Sequence, residues 1–269
     1  MQAPMFFFNF LSCIQSEEND LNGAIPTDLE MLANLEKLQL YSNGLTGTIP
    51  TELGRLANLE ELQLYNNELT GTIPTELGEL MNLEELVIKS NLLTGTIPTE
   101  LGELMNLEEL VIDSNLLTGP IPTELGRLAN LEELQLYNNE LTGTIPTELG
   151  DLINLEKLDI ETNDLSGMIP ADLGNLSSLE KLLLSRNKLT GAIPTQLAQL
   201  VKLQKIYLQG NIFINDADSG RAVPDEVCDL FDTSIGSPLI EIILDNDNGS
   251  NSIKNENGCD DAEFSQSTR

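Results

Sequence analysis

The chain has 269 residues, with 13 basic against 44 acidic side chains, a formal net charge of −31 and no histidine. A surface of that sign repels phosphate, which argues against nucleic acid or an anionic membrane as a partner and favours a basic one. The missing imidazole removes the usual proton shuttle at neutral pH and the commonest nitrogen ligand for metals, so neither catalysis nor a metal centre has its ordinary residues.

Residues 1–10, MQAPMFFFNF, read either as an aromatic plug or as part of an earlier repeat. The run is short and lacks a positively charged n-region, so it makes a poor signal peptide. No apolar stretch in the chain approaches the roughly 20 residues needed to cross a bilayer. From residue 11 to 211 asparagine then recurs every 24 residues without insertion, at Asn19, Asn43, Asn67, Asn91, Asn115, Asn139, Asn163, Asn187 and Asn211. The unit between them reads LxxLxLxxNxLTGxIPxxLGxLxN. Residues 49–78 are repeated verbatim at 121–150, and GELMNLEELVI occurs at both 78–88 and 102–112, followed by Lys89 in one copy and Asp113 in the other. Catalysis needs unlike residues converging on one place, whereas a copied unit builds an extended surface from one repeated neighbour interface.

Within a unit, alternation puts Leu38 and Leu40 on one face of a short strand and Gln39 and Tyr41 on the other. The asparagine is placed to bond backbone where the chain leaves the strand, and stacked copies would satisfy buried amides along the whole rod. In TGTIP the glycine permits a bend and the proline fixes φ, which turns the chain toward one turn of 3₁₀ or α-helix at LGRL.

The period breaks after Asn211. Residues 212–244 read as a modified last unit with a strand at PLIEIILDN, and 245–269 as a polar tail. Cys228 and Cys259 bracket that strand: they form a disulfide if the chain is secreted, and otherwise Cys13, Cys228 and Cys259 are reduced thiols. DNDNGSNSIKNE at 245–256 has acids at three calcium-loop positions but its glycine is one place early, so it reads as an Asx-rich turn rather than a metal site. Asn175 and Asn248 open N-x-S/T sequons.

The repeated NxLTGxIPxxLGxLxNLxxLxLxxN resembles the plant-type leucine-rich repeat, found in receptor-kinase ectodomains, polygalacturonase-inhibiting proteins and repeat proteins of algae and diatoms. The resemblance covers residues 11 to about 211, in nine units. It implies an α/β repeat solenoid: a right-handed superhelix with a parallel β-sheet on its concave face and short 3₁₀ or α turns on the convex side. It also implies that ligands are read by the variable strand residues and that the protein works outside the cell or at its surface. Cysteine-paired N-terminal cap, membrane span and kinase, which receptors of this type carry, are not in these 269 residues.

Strands about 4.8 Å apart would line equivalent residues into ladders on the concave face. One column holds Glu61, Glu85, Glu109 and Glu133, between Lys37 on one side and Lys157, Lys181 and Lys205 on the other; beside it run Glu36, Glu60, Glu84, Glu108, Glu132, Glu156 and Glu180. Adjacent carboxylates repel by about 0.8 kcal/mol in water. The stripe is either an acidic track for cations or a solubilising surface. The next columns supply the candidate ligand-binding set: Gln39, Tyr41, Gln63, Tyr65, Val87, Lys89, Val111, Asp113, Gln135, Tyr137 and Tyr207. All four tyrosines of the chain fall in these columns, and exposed tyrosine suits peptide or sugar recognition because it buries area at little entropic cost. The expectation is a non-catalytic scaffold that uses no cofactor and binds a protein, peptide or polysaccharide. The alternatives are an acidic surface protein that interacts with cations, or a piece of a receptor-kinase ectodomain.

Overall fold

The computed structural model describes residues 11–16 and 19–213, together with the backbone of 241–245 and 251–254. The aromatic N-terminal segment, Cys228, Cys259 and Asn248 lie outside the described residues.

One short strand per unit, Cys13–Gln15, Lys37–Gln39, Glu61–Gln63 and onward to Lys205–Tyr207, joins a single parallel sheet in which spatial order follows chain order. Register is 24 residues throughout, pairing Leu38 with Leu62, Leu62 with Leu86 and Leu86 with Leu110. This is what alternation within LxL requires, since a one-residue slip would turn every leucine to the wrong face. The degenerate first strand keeps the register, pairing Ile14 with Leu38. At the far end Glu241–Asp245 continues the sheet in parallel beside Lys205–Tyr207. Asn251–Lys254 then adds an antiparallel strand, where the sequence suggested only a loop and tail. A sheet edge offers unpaired backbone groups, and a returning hairpin covers them whatever its composition.

Each IP leads into a five-residue 3₁₀ helix, such as Thr51–Arg55 or Thr99–Glu103. The proline just before it has φ near −65°, and the following leucine donates its N–H back to the leucine inside the turn, as Leu104 does to Leu101. Neighbouring turns stack so closely that a Cβ on Gly102 would stand 2.5 Å from the backbone oxygen of Glu124. That approach accounts for glycine in LG of most units. The leucines of each lap, for example Leu53, Leu56, Leu59, Leu62, Leu64 and Leu69, are fully buried in one continuous core, each stabilising by about 1.5–3 kcal/mol.

Two features go beyond the sequence reading. The LTG segments pair in parallel with their neighbours, forming a six-stranded sheet from Asn22–Gly23 to Glu140–Leu141 and a three-stranded one from Ser166–Gly167 to Ile212–Phe213. The residue before each ladder asparagine is left-handed: Ser42, Asn66, Ser90, Ser114, Asn138, Thr162 and Arg186 all have φ of 53–54°.

The asparagine ladder forms as expected. Asn115 Nδ2 donates to the carbonyls of Ile88, Ile112 and Asp113, while its Oδ1 accepts from the N–H of Leu93. From Asn43 to Asn211 each unit's asparagine bridges two laps in this way, whereas Asn19 donates to the Ser16 hydroxyl of its own lap. Asn115→Ala should therefore orphan the buried Leu93 N–H and lower stability by about 2–4 kcal/mol. Urea unfolding followed by circular dichroism checks it, and a shift in midpoint within error of the wild type would refute the ladder's role.

Candidate functional site

Strand curvature and the 24-residue register bring one side chain per lap into each concave column. The column after the core pair starts with Tyr41 and Tyr65, whose rings stack at 4.4 Å between centroids and 6° between planes. Lys89 follows, with its ammonium 5.5 Å from the centre of the Tyr65 ring, an attraction of about 0.5–1 kcal/mol when exposed. Asp113 and Tyr137 come next. Tyr207 lies farther along, in the neighbouring column, opposite Leu183. Gln39, Tyr41, Gln63, Tyr65, Lys89, Gln135, Tyr137 and Tyr207 are each partly exposed.

Three of the candidate ligand-binding residues are buried: Val87, Val111 and Asp113, at 4%, 1% and 0% exposure. These are short side chains on closely spaced strands, among longer residues of the same and adjacent laps. The two valines are neighbours in the column next to the glutamates.

That column is arranged as read, with Lys37 opposite Glu61, then Glu85, Glu109, Glu133 and Lys157 in succession. The glutamines of the next column tie down most of its carboxylates. Gln39 Nε2 donates to Glu61 at 2.8 Å, Gln63 to Glu85 at 2.6 Å and Gln135 to Glu133 at 2.6 Å, while Lys157 donates to Gln135 Oε1 at 2.7 Å. Lys37 bonds the Glu61 carboxylate, which raises the lysine pKa. Glu109 has valine at both positions from which a glutamine would reach it, Val87 in the preceding lap and Val111 in its own. Burial, then Glu85 and Glu133, raise its pKa. Glu85 is raised chiefly by burial, against the hydrogen bond from Gln63.

Two aspartates deepen the acidic centre: Asp113, one of the candidate ligand-binding residues of the sequence reading, and Asp159, which that reading did not include. Asp113 is raised by burial, opposed by the Tyr137 and Ser114 hydroxyls. Asp159, in the inner column beside Gln135, is raised to about 6 by burial and by Glu161, with Lys157 Nζ 3.9 Å from its Oδ2. Tyr137 is raised by burial and then by Asp113. Among the described residues, no three Cys, Asp or Glu side chains converge as a metal-binding group, and no helix is long and apolar enough to cross a membrane. Asn175 is exposed, at the end of the turn Ala171–Asn175.

Away from this face, the TIPT segments border an open groove of about 690 Å³ lined by Thr96, Pro120, Thr123, Thr144 and Thr147 among others. Thr46, Thr48, Thr70, Thr72, Thr94, Thr96, Thr118, Thr142 and Thr144 are all exposed there or on the second sheet. The hydroxyls of Thr70, Thr94 and Thr118 donate to Gly47, Gly71 and Gly95 of the preceding lap at 3.2–3.3 Å.

The family described as leucine rich repeat matches residues 33–93, 105–165 and 153–213. No curated protein matches the chain. Among solved structures, the plant peptide hormone receptor RGFR1 in complex with RGF2 is 39% identical with a TM-score of 0.76, over 78% of this chain and 34% of that one. The Arabidopsis receptor kinase HAESA, in complex with the peptide hormone IDA and the co-receptor SERK1, is 39% identical with a TM-score of 0.74, over 76% and 35%. A plant ice-binding protein is 30% identical with a TM-score of 0.59, over 75% and 72%. The chain thus spans about a third of the length of the two receptors.

The raised carboxylates give a signed pH dependence. Asp159 binds a proton more tightly folded, with a pKa of about 6 against its ordinary value of 3.8, so between those values the native state holds more protons. Stability therefore falls as pH rises through that window and is lowest, for this group, above it. Melting should come at a higher temperature near pH 5.5 than near pH 7.5. Asp159→Asn should stabilise the protein at the higher pH by about 1–3 kcal/mol and flatten the slope. Calorimetric scans across that range check it, and a melting temperature rising with pH would contradict the assignment.

Proposed function

The chain belongs to the leucine-rich-repeat family, and we propose that it is a non-catalytic recognition module whose concave sheet binds an extended peptide or protein segment outside the cell. The observation that carries this reading is the stacked Tyr41–Tyr65 pair capped by Lys89, a partly exposed aromatic platform on the inner face. Stacking holds the two rings in place before any ligand arrives, so little side-chain entropy remains to be lost on binding. RGFR1 is a peptide hormone receptor and HAESA is in complex with the peptide hormone IDA, which supports a peptide here. Because this chain matches only about a third of each receptor, a role as one section of a receptor-kinase ectodomain is part of the proposal. A polysaccharide ligand would use the same tyrosines. A general cation-binding role is less well supported, since the acidic columns form no cluster of three ligands among the described residues.

Panning displayed random peptides on the purified chain, with a glycan array in parallel, tests the reading. Selected peptides should bind wild type and lose about tenfold or more in affinity when Tyr41, Tyr65 and Tyr137 are all replaced by alanine. Failure to select any peptide, or selected peptides indifferent to the triple variant, would remove it, and hits confined to glycans would change the ligand class.

A second reading rests on the threonines. The second sheet and its flank repeat exposed hydroxyl and methyl groups every lap, with several hydroxyls fixed by backbone carbonyls, and one of the similar solved structures is a plant ice-binding protein. A fixed array of this kind can order water as a lattice does. Thermal hysteresis at about millimolar protein that disappears when Thr70, Thr94 and Thr118 are replaced by lysine would establish it; wild type without hysteresis would remove it.

A further inference from the structure

Asp113 is fully buried, yet it stands on the concave side of the sheet rather than in the leucine core. Neither of its carboxylate oxygens accepts a hydrogen bond. The hydroxyls of Tyr137 and Ser114 favour its ionised form, but neither makes a hydrogen bond to it. Lys89 attracts it from the preceding lap, but the ammonium of Lys89 lies over the Tyr65 ring. Buried carboxylates are normally retained only with donors around them. On the other side Asp159, 6% exposed, adds a second negative charge that acts on both Asp113 and Tyr137. It is only loosely answered by Lys157 at 3.9 Å and by the backbone N–H of Glu161, which donates to it at 3.4 Å.

We propose that Asp113 is the floor of a cation recess on the concave face, flanked by Lys89 and Tyr137, that receives the guanidinium of an arginine in the bound peptide. The proposal rests on the peptide-binding reading above and names the side chain that the peptide brings. Arginine fits better than lysine. Its planar fork can donate two parallel bonds to one carboxylate, and it can lie against the Tyr137 ring as it enters. Because Asp113 has no exposed surface of its own, neighbouring side chains, Tyr137 among them, must move to admit it. Nothing in the surrounding unit had to change to create the recess. Residues 78–88 and 102–112 are identical, and the next position is lysine in one unit and aspartate in the other.

Isothermal titration of the full chain with end-capped tetra-arginine, tetra-lysine and tetra-citrulline tests this. Citrulline keeps the shape of arginine without its charge. Wild type should bind tetra-arginine more tightly than tetra-lysine, and tetra-citrulline negligibly. Asp113→Asn should weaken tetra-arginine about tenfold or more, whereas Glu132→Gln, which removes one exposed charge just before the strand Glu133–Gln135, should change it less than about twofold. Asp113→Lys places in this lap the residue its sister unit already carries, and should abolish binding with the fold intact by circular dichroism. Equal losses for Asp113→Asn and Glu132→Gln would mean a diffuse acidic field and overturn the recess, as would no binding of tetra-arginine to wild type. If panned peptides depend on Tyr41 and Tyr65 but not on Asp113, the recess falls while the peptide reading stands. If tetra-arginine binding depends on Asp113 but panning yields no peptide, the peptide reading falls and the cation recess remains.

Discussion

The asparagine side chain that leaves each strand is the interaction on which the other features rest. It is a single amide that donates backward to carbonyls of its own lap and of the lap before, and accepts an N–H from the lap before as well. It satisfies buried backbone groups that no helix or sheet partner reaches, at a corner where water is excluded. Because the same amide must meet the same carbonyls each time, every lap must return the chain to the same corner. The spacing of 24 is unbroken from Asn19 to Asn211, and with it come the in-register sheet, the stacked turns and the alignment of outward side chains into columns.

Much of this was legible in the sequence because each requirement falls on a residue type with few substitutes. Leucine alternation gave the inner face, asparagine the corner, and IP followed by LG the 3₁₀ turn. The second sheet was not legible, because LTG carries no alternation long enough to register as a strand; its pairing is imposed by the laps on either side. The left-handed residue before each asparagine was also hidden. Ser, Asn, Thr and Arg186 all adopt it, so the position is dictated by the neighbouring backbone bonds rather than by side-chain preference. The returning strand Asn251–Lys254 likewise answers to an open edge.

The columns of the concave face were legible in the sequence, but not their depth. Columns follow from periodicity, so the tyrosines and the glutamate ladder could be placed by counting. Burial depends on what stands beside a residue in the next lap, which counting does not reveal. Val87, Val111 and Asp113 are buried, although their columns also hold partly exposed residues. A charged residue in a variable column looks solvent-exposed in sequence; only the lengths of its lateral neighbours decide whether it is.

Those lateral neighbours also explain why one replacement in a copied unit has a large effect. A lysine at the position after the core pair can reach over the adjacent ring and keep its charge in water, as Lys89 does. An aspartate is too short to reach out, so its charge stays at the level of the sheet, under side chains that rise above it. Exchanging the two reverses the sign of the charge and moves it from the rim of the surface to its floor. The core is unaffected, because the leucines and the asparagine ladder lie on the other side of the backbone. A rigid repeat of this kind can therefore acquire a buried electrostatic feature on its readable face without any change to what holds it together.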